Sequence, residues 1–479
     1  MQIKSITIEN YRSIEKETFE IKDIDGGYSY TLIGVNESGK SSFLKAISLK
    51  DGLESVLPHD FHDISKPIVI TFNYILTDEE KNLIKEKLTE SKLPEGLFKK
   101  FIIKSVFLKV VVDYANPTGN KKIVEFILDN NIIKGYAVVD NVVTKNEAEP
   151  NQEFDIKNYL QETLLNFIIE LSHKVIFWKS EARFLITDPI NLEEFVNDPE
   201  GKSIPLRNCF DLAGFNNIQE TIAKIRNNPA EVNNLQEKLS DEITAHIKRA
   251  WPGHPVKIKF QIDNMHLSFL IEDEGVKYKT KTTAQRSDGF RQFVSFLLTV
   301  SAQSSTGKLS NSLLLLDEPE THIHPQGQEN LRDELIKITK GNSNNICIFA
   351  THSNYMIDKT HLDRCYRLVK EGNNKTKLTP IDGTNSSYSE VNYIVFDVPT
   401  NDYHNELYGF LEAEKKSKLN ALPKDKIWKN EKTGKDENVS LATYIRHSIH
   451  HPENDKNKPF TNGELIKSIG MLSKLKYGK

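Results

Sequence analysis

Alternating apolar and polar positions dominate the first third of the chain and predict strands at 3–9, 29–34, 68–75, 104–114, 121–130 and 135–144, with one helix opened by the loop near Gly39. Between about 155 and 255 the period lengthens. "DIKNYLQETLLNFIIELSH", "NNIQETIAKIRNN" and "AEVNNLQEKLSDEITAHIKRAW" carry apolar residues three and four apart and predict a helical insertion. Strands return at 256–273, a helix follows Gly289, and the short apolar runs "LLLLD" (313–317) and "ICIFA" (346–350) read as buried parallel strands ending at polar residues. The Lys-, Asn- and Asp-rich segment 414–438 reads as an exposed loop inside a small helical C-terminal domain. No internal repeat stands out.

Composition narrows the class. The 479 residues are 38% hydrophobic and 27% charged, as in soluble globular proteins, and suffice for two or three domains. No apolar run is long enough for a membrane helix, and the strand-like "MQIKSITIENYRSI" lacks the features of a secretory signal, so a cytoplasmic protein is expected. Cys209, Cys347 and Cys365 are too few and too scattered for a disulfide framework or a metal knuckle. From Thr400 onward 15 basic residues face 11 acidic ones, a local +4 that leaves −8 for the rest of a chain of net charge −4. A basic tail on an acidic body suits an anionic partner, although a solvated lysine-rich loop would have the same composition.

"GVNESGKSS" matches G-x-x-x-x-G-K-[ST] between the strand "YTLIG" and the helix "SSFLKAIS". Gly34 and Gly39 allow the backbone of Asn36, Glu37 and Ser38 to curl around phosphates, on which Lys40 brings a charge while Ser41 and Ser42 open the helix. Ser41 supplies a hydroxyl for Mg²⁺. In "LLLLDEPETHIHP", Asp317 ends a buried strand where it can hold Mg²⁺ through water, and Glu318 can polarise the water that attacks a γ-phosphate. "IFATHS" ends a further strand at His352, which can hydrogen-bond to that phosphate.

In their order, the loop at 34–42, "QRSDGFRQF" (285–293), "LLLLDEPETHIHP" and "THS" resemble the ABC-type ATPases of the RecF and overcoming-lysogenisation-defect (OLD) group, AAA-family ATPases of prokaryotic anti-phage defence type. The resemblance covers roughly residues 1–390. It implies an α/β fold, an ABC-type head with a mixed-sheet lobe and a parallel-sheet P-loop core, followed by a small helical domain at 391–479. It further implies that Ser287, Asp288 and Gly289 form the signature loop, that the segment after Glu318 through His324 is the D-loop, and that His352 is the switch histidine. ATP and Mg²⁺ are the implied cofactors, and a homodimer with ATP between two heads the implied assembly. The Q-loop has no clear counterpart; "HDFHD" at 59–63 is its best candidate, with a plain surface loop as the alternative. An insertion without heptads or CxxC sets the chain apart from long-armed chromosome-structure ATPases. Beyond His352 no acidic Toprim constellation is evident, so the nuclease domain of full OLD proteins is expected to be missing.

"LATYIRHSIHH" places Arg446 and His451 in the spacing R-x4-H, which resembles the R-x4–6-H motif of HEPN-type RNases. Read as a helix ended by Pro452, it pairs Arg446 with His450 and His447 with His451, and frees His451 to turn towards Arg446. Cleavage of RNA by such a pair competes with two plainer readings: a structural Arg with solvated histidines, and a metal set of His447, His450 and His451 lacking a local fourth ligand. Three functions follow from these resemblances. The chain is a defence ATPase with its own nucleic-acid-cutting tail, a sensor or scaffold ATPase resembling those of Septu and PARIS systems with a separate effector, or a RecF-like DNA-repair ATPase.

Overall fold

Residues Leu313 to Leu316 form an uninterrupted apolar run because both faces of their strand are covered. Leu313 and Leu315 enter one core cluster and Leu314 and Leu316 another, as the two-residue period of a strand requires. The computed structural model describes residues 1–139, 142–226, 228–250, 256–273, 275, 280–286, 288–302, 309–381, 387–431 and 433–478. Two compact units emerge, one of Met1–Met356 with Arg364–Pro380, the other of Ile357–Asp363 with Ile381–Lys479.

In the first unit a six-stranded sheet runs Lys174–Lys179, Ser312–Asp317, Ile346–Ala350, Ser29–Ile33, Cys365–Glu371 and Lys375–Pro380. Its first five strands are parallel and the last is antiparallel. Gly34, Asp317 and Thr351 therefore all lie at or just beyond the carboxyl ends of parallel strands, the edge where α/β sheets bind ligands. A second, wholly antiparallel sheet is ordered Ile14–Glu20, Gln2–Tyr11, Ile68–Ile75, Ile103–Asp113 and Asn116–Leu128. The chain is thus a mixed α/β protein with a parallel P-loop core.

The stretch expected as a continuous helical insertion over 155–255 is interrupted. Helix Ile156–Leu171, capped by Asp155, buries Ile156, Leu160, Leu164 and Ile168 in the core that includes the antiparallel sheet. Lys174–Lys179 then supplies an edge strand of the central sheet. "VIFW" is buried on both faces and so lacks the alternation that would separate it from the preceding helix. The remaining helices, among them Ile204–Leu212 and Pro229–Ala250, share a core with the hairpin Val256–Asp263/His266–Asp273. The Thr244 hydroxyl fixes that packing by donating to the Ile258 carbonyl at 2.9 Å and accepting its amide at 3.0 Å.

In the second unit, helices Asn401–Glu414, Leu441–His450 and Asn462–Tyr477 enclose Tyr403, Leu407, Leu411, Ile445, Ile469 and Leu472. Segment 414–438, expected as a loop, instead contains helix Lys416–Asn420 and the strands of a hairpin, Lys426–Lys429 paired with Asp436–Val439. Trp428 anchors that hairpin edge-on against Tyr444. Among the described residues no helix is long and apolar enough to cross a membrane.

Candidate nucleotide site

The loop after strand Ser29–Ile33 adopts conformations that side chains resist. Gly34 has φ +155° and a Cβ there would lie 2.4 Å from the Leu368 carbonyl; Gly39 has φ +108° and its Cβ would lie 2.6 Å from Thr376 Oγ1. Gly34→Ala is expected to lower stability by ~1–3 kcal/mol, because the obstacle is backbone of a neighbouring strand; denaturant unfolding would measure it.

Gly39 caps helix Lys40–Ser48 with no side-chain hydrogen bond, so the amides of the first turn remain available to an anion. Lys40, only 5% exposed, folds back to donate from Nζ to the carbonyls of Gly34 (2.9 Å) and Val35 (3.2 Å). Burial depresses its pKa, while Glu318, Asp317 and Glu320 act in the opposite direction. Ser41 donates to Asp317 Oδ1 at 3.1 Å, and burial raises the Asp317 pKa against that bond. These are hard oxygen donors of the kind Mg²⁺ takes.

Glu318 sits at φ +52° with its amide donating to Ala350 O at 3.0 Å. Its carboxylate faces His352 Nε2 at 3.4 Å. Burial and then Lys40 lower the His352 pKa, with Glu318 opposing, so a neutral imidazole is favoured.

Gly39, Lys40, Ser41, Glu318 and His352 border a cavity of about 740 Å³ that also includes Asn36, Glu37, Ser38 and Ser42. Sequence reasoning missed Arg12, Ser13 and Lys370 in its wall. Arg12 is half-buried at φ +51°, with Nε donating to Asp60 Oδ1 at 2.6 Å and Nη1 to Ser42 Oγ at 3.4 Å. His59, Phe61 and His62 of "HDFHD" line the same cavity, and His62 Nδ1 lies 2.7 Å from the Arg12 carbonyl.

Of the expected signature loop, Ser287 falls outside the described residues. Asp288 begins helix Asp288–Ala302. Gly289 lies against the His322–Ile323 backbone, where a Cβ would come within 2.6 Å of the His322 carbonyl.

The tail residues rest on aromatic side chains. Arg446 stacks its guanidinium over Tyr408 at 5.3 Å, whereas His447 and His451 both lie against Trp428, at 5.2 and 6.4 Å. The helix ends at His450, and His451 Nδ1 lies 3.3 Å from Glu453 Oε1. His447 is half-buried, and burial, followed by His451, lowers its pKa. Among the described residues no three His, Cys, Asp or Glu side chains, those of His447, His450 and His451 included, are placed together to hold a metal.

Residues 1–357 match the AAA ATPase domain family. The Old nuclease of Escherichia phage P2 is 21% identical over 432 residues, 88% of this chain and 69% of that protein. An uncharacterised protein of Methanocaldococcus jannaschii is 26% identical over 142 residues, 29% of this chain, and the matched part spans 36% of its length. Among solved structures, an Smc head bound to the C-winged helix domain of ScpA is similar at TM-score 0.40 and 10% identity, over 80% of this chain and 98% of that one. The SMC head domain from Thermotoga maritima gives TM-score 0.36 at 10% identity, over 80% and 100%. With the phosphate loop, Asp317 and Glu318 gathered inside the matched segment, the chain belongs to the AAA ATPase domain family.

Proposed function

We propose that the chain is an ATP-hydrolysing, Mg²⁺-dependent ABC-type ATPase of a prokaryotic, cytoplasmic anti-phage defence system, whose heads pair around ATP and control an effector. The observation that carries this reading is the convergence of Lys40, Ser41, Asp317, Glu318 and His352 on one sheet edge. Lys40 and the helix amides bind the phosphates, Glu318 orients and deprotonates the attacking water, and His352 hydrogen-bonds to the γ-phosphate. Ser41 and Asp317 would hold Mg²⁺, which when bound neutralises phosphate charge. Asp288 and Gly289, with Ser287, are assigned to the partner head's nucleotide. Sedimentation of the full-length protein with and without ATP tests the pairing: a mass that doubles only with ATP supports it, and a monomer under both conditions overturns it.

The effector reading assigns RNA cleavage to Arg446 and His451, with His447 beside them, in a site shared between two protomers. The 2′-hydroxyl would make RNA rather than DNA the substrate. Within one protomer Arg446 lies over Tyr408 and His451 by Trp428, and the resemblance to HEPN-type RNases assigns the completion of such a site to a second copy. The packing of Arg446 on Tyr408 and of His447 and His451 by Trp428 favours, as a second reading, a sensor or scaffold ATPase whose damage is done by a separate protein. Total cellular RNA incubated with wild type, Arg446→Ala and His451→Ala, with and without ATP and Mg²⁺, distinguishes them. Cleavage by wild type alone is the expected outcome; intact RNA throughout transfers the activity to a partner.

A further inference from the structure

Glu318 and His352 come from different strands, so their 3.4 Å approach depends on whatever holds the Glu318 turn to the end of strand Ile346–Ala350. Part of that link is backbone, the Glu318 amide donating to Ala350 O. A further part comes from one side chain. Glu320, 5% exposed, accepts at Oε1 both the Thr351 hydroxyl and, at 3.3 Å, the His352 amide. Thr351 Oγ1 in turn accepts the Ser353 amide at 2.9 Å, and the Thr351 amide donates to Leu32 O at 3.1 Å, in the strand that leads into the phosphate loop.

We propose that Glu320 is a positioning residue for ATP hydrolysis, its buried carboxyl locking the segment that carries Glu318 to the Thr351–His352 peptide. Glu320 borders no part of the cavity and acts through Thr351 and His352. Its second oxygen, Oε2, is buried and has no hydrogen-bond partner. An ionised carboxylate with an unsatisfied buried oxygen is costly, whereas a carboxylic acid still accepts both bonds at Oε1. Burial indeed pushes the Glu320 pKa up to about 7. What the lock requires is therefore an acceptor at Oε1 rather than a charge, and a glutamine side chain supplies one at the same reach.

This inference rests on the hydrolytic reading of the site, and its test uses full-length protein with two readouts. In Glu320→Ala, kcat is expected to fall about 10- to 100-fold, the scale of a small misplacement of catalytic groups, with KM for ATP within about twofold. Glu320→Gln is expected to keep kcat within about threefold of wild type. Thr351→Val should lose kcat as Glu320→Ala does, and the double variant should be no worse than either, because the three variants break one link. Amide hydrogen exchange across Thr351–Ser353, measured without nucleotide, should be about tenfold faster in Glu320→Ala and unchanged in Glu320→Gln. A parallel rise in KM, additive losses, or a Gln variant as impaired as Ala overturns the proposal. Wild type that binds but does not turn over ATP sinks the hydrolytic reading instead, and exchange then decides the lock alone: faster in Ala only, it stands; equal in all, it falls.

Discussion

In full-length Glu318→Gln, ATP turnover is expected to fall by about 10²–10⁴-fold, the usual contribution of a positioned general base, while ATP affinity stays within a few-fold of wild type. The two effects separate because of where Glu318 is held. Its amide is bound to Ala350 O and its carbonyl accepts the Thr321 hydroxyl at 2.9 Å, neither of which the substitution touches. Its φ of +52° is a backbone property that glutamine must also adopt in that frame. What changes is the ability to take a proton from water. The variant should therefore bind nucleotide, close and stay closed, accumulating as an ATP-dependent dimer detectable by sedimentation after excess ATP is removed. Turnover within threefold of wild type would remove Glu318 from its assigned role.

What could be read from the sequence followed the strength of the local constraint. A loop that must wrap phosphates needs glycine at positive φ and a lysine at the helix start, and Gly34, Gly39 and Lys40 state this in one dimension. Strand Ile14–Glu20 escaped because one of its buried positions is Glu17, held by Lys377 at 3.0 Å from a strand far along the chain. Arg12 escaped because no sequence signal marks a non-glycine residue in the left-handed region. In "DEPE" all three carboxylates look alike. Only the arrival of Thr351 and His352 from another strand sets the buried Glu320 apart from the half-exposed Glu318. The tail spacing was visible too, but not Trp428, which reaches the histidines from a hairpin whose residues read as loop.

Lys40→Ala is expected to weaken ATP binding by about 10²-fold or more and to abolish turnover at ordinary ATP concentrations. Without nucleotide the ammonium makes two hydrogen bonds to loop carbonyls, both of which it can exchange for phosphate oxygens by a side-chain rotation. Charge-assisted bonds of this kind contribute ~1.5–3 kcal/mol each, and about 2.7 kcal/mol is already a factor of 100 in Kd. A second consequence is electrostatic. Lys40 and, after it, Lys45 are the cations whose fields act on Asp317 and oppose the burial that raises the Asp317 pKa. Without Lys40, Asp317 ionises less readily, so the Mg²⁺ concentration giving half-maximal nucleotide binding should rise as well. The empty fold should tolerate the change. Removing a buried ammonium relieves its desolvation and offsets the two lost bonds, and Lys40→Met, which keeps most of the volume, should leave unfolding free energy within ~1 kcal/mol of wild type. Fluorescent-nucleotide titration alongside denaturant unfolding separates these effects. Affinity retained in a folded Lys40→Met protein would mean that the helix amides alone hold the phosphates, and the site would have to be rebuilt around Arg12 and Lys370, the other cations of the cavity wall.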